Sequence, residues 1–442
     1  METLRNVWAT SKLFRVILIV ALCYGAIRLV AHIWLEANQM LPGQSDTQIV
    51  PVDLDIYVNA STRLENHQPL YTPNPTQEEV YQYPPFFALW FLPFVWLLNK
   101  TPEIFMALQV LIRVVAYIFL IFWWERIFRR MKMKRASEMW AWTVPLWIVF
   151  SSFWSDLGYM NIYLLTVFIA TLSIEAVLNE NLTWSVIWLT ILLQMKPQWA
   201  FALAIPLLLG RWRYFAKLLG FTVLVNAVLI GVFMAITGPA YGWHQYAVYL
   251  PYIANMGKTI PWRGPSDLYL GYNHSILQIV YFFFGISTTT FWVATAIKIL
   301  LVIPLAVICI KQLICPVKKA GREVPQLALG LTFALYLAVF IAAADWVWEV
   351  SMACAILAYL LAVVNKETIS KVLIWVVFIP YAAIDLWQIG SYAIYGDKVI
   401  AAGDYILTDY SIYVPIVMLV ILVFYGLLIK SLWTSTGKEL IE

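Results

Sequence analysis

The chain is a succession of apolar runs joined by short polar links. Runs of about 18 or more apolar residues carry a helix across a hydrocarbon core. They occur near 14–36, 104–124, 138–155, 157–178, 184–209, 214–237, 289–310, 325–364, 370–388 and 412–432, and the run 325–364 is long enough for two crossings. Two shorter stretches, 85–98 and 274–286, have a length that suits spanning, tilting or dipping back. The pattern predicts an all-α, polytopic transmembrane helical bundle with roughly ten to thirteen membrane helices. No soluble domain remains between the runs, so residues 1–442 are expected to form a single transmembrane domain.

Composition agrees: 62% of the 442 residues are hydrophobic and 12% are charged, against about 25% charged in soluble domains. The first run follows Arg5, Lys12 and Arg15, is long, and lacks a clear small-residue cleavage site, so it reads as a retained anchor. Cys23, Cys309, Cys315 and Cys354 lie in or beside apolar runs with neither disulfide nor metal-ligand spacing, and no metal site is expected. The net charge of +4 is clustered as cytoplasmic loops would cluster it, which implies membrane lipids as surroundings and no nucleic-acid partner.

The densest basic cluster, residues 125–137, holds Arg126, Arg129, Arg130, Lys132, Lys134 and Arg135, and the link 311–323 adds Lys311, Lys318, Lys319 and Arg322. The positive-inside rule places both in the cytoplasm together with the N-terminus. The first helix then delivers residues 37–83 to the outer face. That loop carries Asp46, Asp53, Asp55, Glu65, Glu78 and Glu79, with Arg63 its only Arg or Lys. Residues 238–273 and 389–411 are further outer-face candidates. One conflict stands: if 85–98 crosses fully, the basic cluster falls on the outer side.

Long loops without obvious structure are often functional. Within 37–83, Asp53-Leu54-Asp55-Ile56-Tyr57 opens a short helix through Leu64, and Tyr81-Gln82-Tyr83-Pro84-Pro85-Phe86 opens the next apolar run. Prolines cost little at a helix start, where the first N–H groups lack partners in any case. Asp53 suits a general base, and a helix N-cap is the plain alternative. Asp55 is the second candidate carboxylate, with a solvated loop charge as its alternative. Lys196 lies inside an apolar run beside helix-breaking Pro197; an intramembrane cation of this kind marks a phosphate contact, a buried ion pair or a snorkelling side chain. Arg263, near Trp262 and Lys258, suits a bidentate phosphate clamp or a headgroup contact. Tyr81, Tyr83, Phe86 and Phe87 suit an apolar wall or an interfacial anchor.

An Asp-apolar-x-apolar-Tyr segment (Asp53 to Tyr57) followed about two dozen residues later by Tyr-x-Tyr-Pro-Pro (Tyr81 to Pro85) resembles glycosyltransferase family 87. Gly158-Tyr159-Met160-Asn161 resembles the family's Gly-Gln-x-Asn, Lys196-Pro197-Gln198 its Lys-Pro-x, and Asn273-His274-Ser275 its Asn-x-Ser, in the same order over the first two thirds of the chain. Two positions depart. Tyr159 stands where Gln is usual, and Ala344-Asp345-Trp346-Val347-Trp348-Glu349 stands where the family has Ser-x-x-Trp-x-His-His, so that Asp345 and Glu349 are the candidates to replace the histidines.

The resemblance implies a GT-C type, α-1,2-mannosyltransferase-like enzyme of a bacterial plasma membrane. It would move a hexose or pentose, mannose first, from a polyprenyl-phosphate sugar to a lipid or glycan acceptor with inversion, and no cofactor beyond that donor is implied. Asp53 is then the catalytic base, Lys196 and Arg263 bind the donor phosphate, and Tyr57, Tyr81, Tyr83, Asn161, Asn273 and His274 line the acceptor or sugar pocket. The enzyme reading predicts a membrane cavity floored by Asp53 and open to lipid. A non-catalytic subunit of a membrane complex and a transporter are the competing classes. A transporter would be expected to show two related halves, and the chain has no internal repeat.

Overall fold

The computed structural model describes residues 2–45, 49–72, 81–255, 262–267, 270, 273–314, 323–343, 352–364, 367–384, 386, 400–402, 405–407 and 415–437. Asp46, Glu78, Glu79, Lys258, Asp345, Glu349 and most of 389–411 lie outside the described residues. The described chain is helical. In order come α1 (Glu2–Thr10), α2 (Lys12–Ala37), α3 (Val52–Glu65), α4 (Pro85–Lys100), α5 (Pro102–Arg130), α6 (Lys134–Val149), α7 (Ser151–Tyr159), α8 (Tyr163–Leu178) and α9 (Leu182–Met195). A 3₁₀ helix, Pro197–Leu203, leads into α10 (Ala204–Leu208). Then follow α11 (Trp212–Thr237), α12 (Pro239–Asn255), α13 (Ile276–Phe284), α14 (Thr288–Ile314), α15 (Glu323–Ala342), α16 (Ala353–Val363), α17 (Thr368–Ala382) and α18 (Ile416–Gly437). A short antiparallel pair joins β1 (Ile400–Ala402) to β2 (Tyr405–Leu407).

Five of these helices, α2, α5, α11, α14 and α18, are long and apolar enough to cross a membrane, and the joined α6–α7 with α8 makes a sixth if that bent pair is one span. Their surfaces bear this out: Leu13, Val16, Val20, Ile27 and Val30 of α2 are all exposed, an apolar display that water does not tolerate over such an area. The chain is therefore an α-helical, multi-pass membrane protein. Among the described residues the count by length stays below the ten to thirteen that the runs suggest, because breaks divide several runs. Proline ends one at Met195 and a turn at 160–162 interrupts another, while 325–364 carries two helices, α15 and α16, as its length allows. The run 274–286 contains only the nine-residue α13, too short to span.

Contacts give the bundle two distinguishable ends. At one end the Thr3 and Ser137 hydroxyls are 3.3 Å apart, Glu175 near the end of α8 pairs with Arg126 and Arg130 of α5, and Arg211 pairs with Glu180 at 3.0 Å. The N-terminal helix, the basic cluster and the starts of α6, α9 and α11 thus share this end. Asp53 and Lys196 lie at the other. α6–α7 and α8 are bent by 118° about the 160–162 break, so the chain rises to that break and returns.

The position of α4 follows from its contacts with α3. Ser61 donates to the Ala88 carbonyl at 2.9 Å and Trp96 donates from Nε1 to Glu65 at 3.0 Å, so the two helices run side by side in the same direction. α4 therefore leads away from the basic end, and α5 returns past Arg113 towards it. The link from α2 to α3 is tight: Gly43 has φ +85°, and a Cβ there would lie 2.7 Å from the Val52 Cβ, so only glycine fits. A compact cluster of Leu54, Tyr57, Tyr81, Tyr83, Phe87, Phe91 and Met195 fills the space between α3, α4 and α9.

Candidate functional site

Helical phase decides between the two carboxylates of α3. Leu54, Tyr57, Ala60, Ser61 and Leu64 are buried, at the three- and four-residue spacing of one helix face. Asp53 precedes Tyr57 by one turn and shares that face. Asp55, two residues on and about 200° round the helix, accepts from Asn59 Nδ2 at 2.7 Å instead. The N-cap of α3 is Pro51, with no side-chain cap hydrogen bond, so capping does not account for Asp53. Its carboxylate accepts from Asn161 Nδ2 at 2.6 Å.

Asn161 is delivered by the break between α7 and α8. Met160 ends α7 in the left-handed region at φ +53°, a conformation that costs a branched or long side chain energy unless its surroundings hold it. Arg113 holds it. From α5 its guanidinium donates from Nη2 to the Met160 carbonyl at 2.6 Å and from Nε to the Asn161 carbonyl at 3.0 Å. Nη1 donates to the side chain of Gln109, one turn back, at 2.8 Å. Arg113 is 1% exposed, so every one of these donors would otherwise face an apolar core. Asp156 lies within electrostatic range of Arg113 and accepts from the Leu164 amide at 3.3 Å, tying α7 to α8 across the break.

From Asn161 the network continues outward. Asn161 Oδ1 accepts from the Ile162 amide at 2.7 Å and from the Tyr57 hydroxyl at 3.0 Å, and the Tyr57 and Tyr83 hydroxyls are 3.0 Å apart. Lys196 enters at the break after α9. As the residue before Pro197 it is extended, with φ −142° and ψ 96°, as sterics before proline require. Its Nζ donates to the Tyr163 hydroxyl at 3.2 Å and lies 4.4 Å from the Tyr163 ring centroid and 4.9 Å from that of Tyr83. An ammonium over two aromatic faces is stabilised by their quadrupoles. Burial pushes the Asp53 carboxyl up from its usual 3.8 to about 6, against the opposing pull of the Asn161 hydrogen bond and the charges of Lys196 and Arg113. Burial above all, with Tyr83 and Asp53 adding to it, keeps the Tyr57 phenol protonated.

The structure thus brings together Asp53, Tyr57, Tyr83, Asn161 and Lys196. Tyr81 stands one layer behind: it is fully buried, packs on the Tyr71 and Tyr83 rings, and donates to the Pro84 carbonyl at 3.0 Å, so it anchors the entrance of α4. Arg263 pairs with Asp267 at 3.4 Å, and its backbone amide donates to Gln278. Asn273 accepts from the Ser275 amide at 3.0 Å, and Ser275 caps α13 by accepting from Gln278. His274 is buried beside them.

Arg113, Gln109, Asp156 and Tyr163 were not foreseen from the sequence. Arg113 carried a usable signal, as an ionisable residue inside the apolar run 104–124, and Asp156 a weaker one, as the single acidic residue between the runs 138–155 and 157–178. A cavity of about 1020 Å³ runs along α5, α8 and α9 behind this network. It reaches Phe87, Arg113 and Met195, and so lies against the support behind the carboxylate and not against Asp53 itself. Among the described residues no group of three or more His, Cys, Asp or Glu side chains is placed to hold a metal ion. No protein-family model, curated protein or solved structure matches the chain.

Proposed function

We propose that this chain is a membrane glycosyltransferase of GT-C type that moves a sugar from a polyprenyl phosphate to a lipid or glycan hydroxyl, with Asp53 as general base. The observation that carries the reading is the convergence of Asp53 and Lys196, from distant segments, on one Tyr57–Tyr83–Asn161 network. A carboxylate with a value near 6 is largely ionised at neutral pH yet basic enough to accept a proton in a transition state.

In the proposed step the acceptor hydroxyl gives its proton to Asp53 while its oxygen bonds to the anomeric carbon. The bond from that carbon to the phosphate oxygen breaks, and its electron pair leaves with the phosphate. Lys196 is the cation available to meet the charge that develops there. Inversion follows from attack opposite the leaving group.

Mannose is the first sugar to test, and the proposed setting is the outer face of a bacterial plasma membrane. The separation of Asp53 from the basic cluster and the N-terminus, at opposite ends of the bundle, supports that orientation under the positive-inside rule. The direction of α4 supports it too, because α4 need not cross. The direct test incubates membranes containing the native protein with radiolabelled polyprenyl-phosphate mannose and extracts the lipid. Label in a new lipid or glycan product supports the reading. Failure with mannose and with a panel of other polyprenyl-phosphate sugars turns the assignment towards a non-catalytic subunit.

A further inference from the structure

The cavity behind the network has a second end whose chemistry the transfer reaction does not use. Its wall on α5 extends from Gln109 to Arg130, about 30 Å of helix at 1.5 Å per residue, which matches the thickness of a hydrocarbon core. Between Arg113 and Arg126 the α5 wall is apolar and aromatic, made by Val115, Ala116, Phe119 and Trp123. Trp90, Phe119 and Trp184 on its rim are 44%, 53% and 49% exposed, so the groove opens sideways.

At the far end two guanidinium groups meet one carboxylate. Arg130 donates to Glu175 Oε1, Trp123 Nε1 donates to Glu175 Oε2 at 2.7 Å, and Arg126 Nε stands 3.4 Å from Glu175. Both carboxylate oxygens are therefore engaged, while one positive charge remains in excess over this trio. The Arg126 guanidinium lies 4.2 Å from the Trp123 ring centroid, which fixes its plane. Trp184 and Trp188 stack at 5.4 Å on the same end of the groove, as an interfacial aromatic pair would. Arginine forks bind phosphate oxygens bidentately, and basic pockets between membrane helices take anionic lipid headgroups.

We infer that this groove is a binding site for an anionic phospholipid, its phosphate held by Arg126 and Arg130 and one acyl chain lying along α5 and α8 towards Phe168. The site stands apart from the proposed transfer chemistry, at the opposite end of the bundle from Asp53, and does not depend on that reading. Its bound lipid would buttress α5 and α8, the two helices that carry Arg113 and flank Asn161.

The test is thermal unfolding of the purified full-length chain in detergent with added dioleoyl phosphatidylglycerol, dioleoyl phosphatidylcholine or inorganic phosphate. Phosphatidylglycerol is expected to raise the midpoint by several degrees, with little effect from the other two. Arg126→Gln/Arg130→Gln is expected to abolish that difference. Lys132→Gln/Arg135→Gln, which removes the same charge from exposed positions off the groove, is expected to keep it. Leu172→Trp fills the groove with both arginines intact and carries the test if the arginine variant does not fold; it is expected to lose phosphatidylglycerol from the purified protein in native mass spectrometry. Equal stabilisation by the two lipids, equal loss in both double variants, or unchanged lipid retention by Leu172→Trp would overturn the inference. A shift produced equally by inorganic phosphate would identify a simple anion site and overturn it as well.

Discussion

At the residue scale, the raised proton affinity of Asp53, the proposed base, reflects a balance of burial against one hydrogen bond and two nearby cations. The sign of the linkage follows from the raised value. An Asp that binds its proton more tightly in the folded state costs the fold stability once pH exceeds the unfolded value near 4, and the cost is complete above about 6. Asp53→Asn is therefore expected to raise the unfolding midpoint at pH 7, by a free energy of up to about 3 kcal/mol, with the gain vanishing below pH 4. A melting series from pH 4 to 8 checks this. The same value predicts that kcat/KM falls as pH drops through about 6. Asn161→Ala removes a bond that favours the charged carboxylate, so its activity limb should move to higher pH, leaving a larger deficit at pH 6 than at pH 8. A pH-independent loss would make Asn161 merely structural. The choice of Asp53 over Asp55 was legible from helical phase alone, since Tyr57 and Leu64 fix the buried face. The nearness of Asn161 was legible only as a motif, because the contact spans 108 positions.

At the scale of elements, the site is made where helices stop. Pro197 ends α9 so that Lys196 projects from an extended residue, and this break was readable because proline announces it. The break at 160–162 has no proline. It depends on Arg113, which takes the Met160 and Asn161 carbonyls that the helix no longer satisfies. Hydropathy could not reveal this, because a single arginine hardly changes the mean of an apolar run. Arg113→Gln should cost about 3 kcal/mol or more of stability, since buried acceptors lose their donors and Asp156 its neighbouring charge. It should also shift the Asp53 activity limb upward, because Arg113 helps hold that value down. Stability measured by heating and the pH profile together check the prediction. An unshifted limb would place Arg113 outside the electrostatics of the site.

At the scale of the whole molecule, the two ends of the bundle bear on a question that the apolar runs left open. A run of 14 apolar residues says nothing about direction, so 85–98 placed the basic cluster in conflict with the first helix. Pairing of Ser61 with Ala88 and of Trp96 with Glu65 sets α4 alongside α3, and the conflict disappears if α4, like α3, stays on the outer side, as the proposed orientation requires. With the four native cysteines replaced by serine, Gln68→Cys and Lys100→Cys are expected to react with a membrane-impermeant maleimide from one side, and Lys132→Cys from the other. Labelling of Lys100→Cys on the same side as Lys132→Cys would return α4 to a crossing. The most direct measurement of the whole account is sugar transfer from radiolabelled polyprenyl-phosphate mannose by native protein and by Asp53→Asn, with both shown to be folded by their melting curves. The account predicts transfer by the native protein and a loss of at least about a hundredfold in the variant. Equal transfer by the two proteins would contradict it and leave Asp53 a structural partner of Asn161.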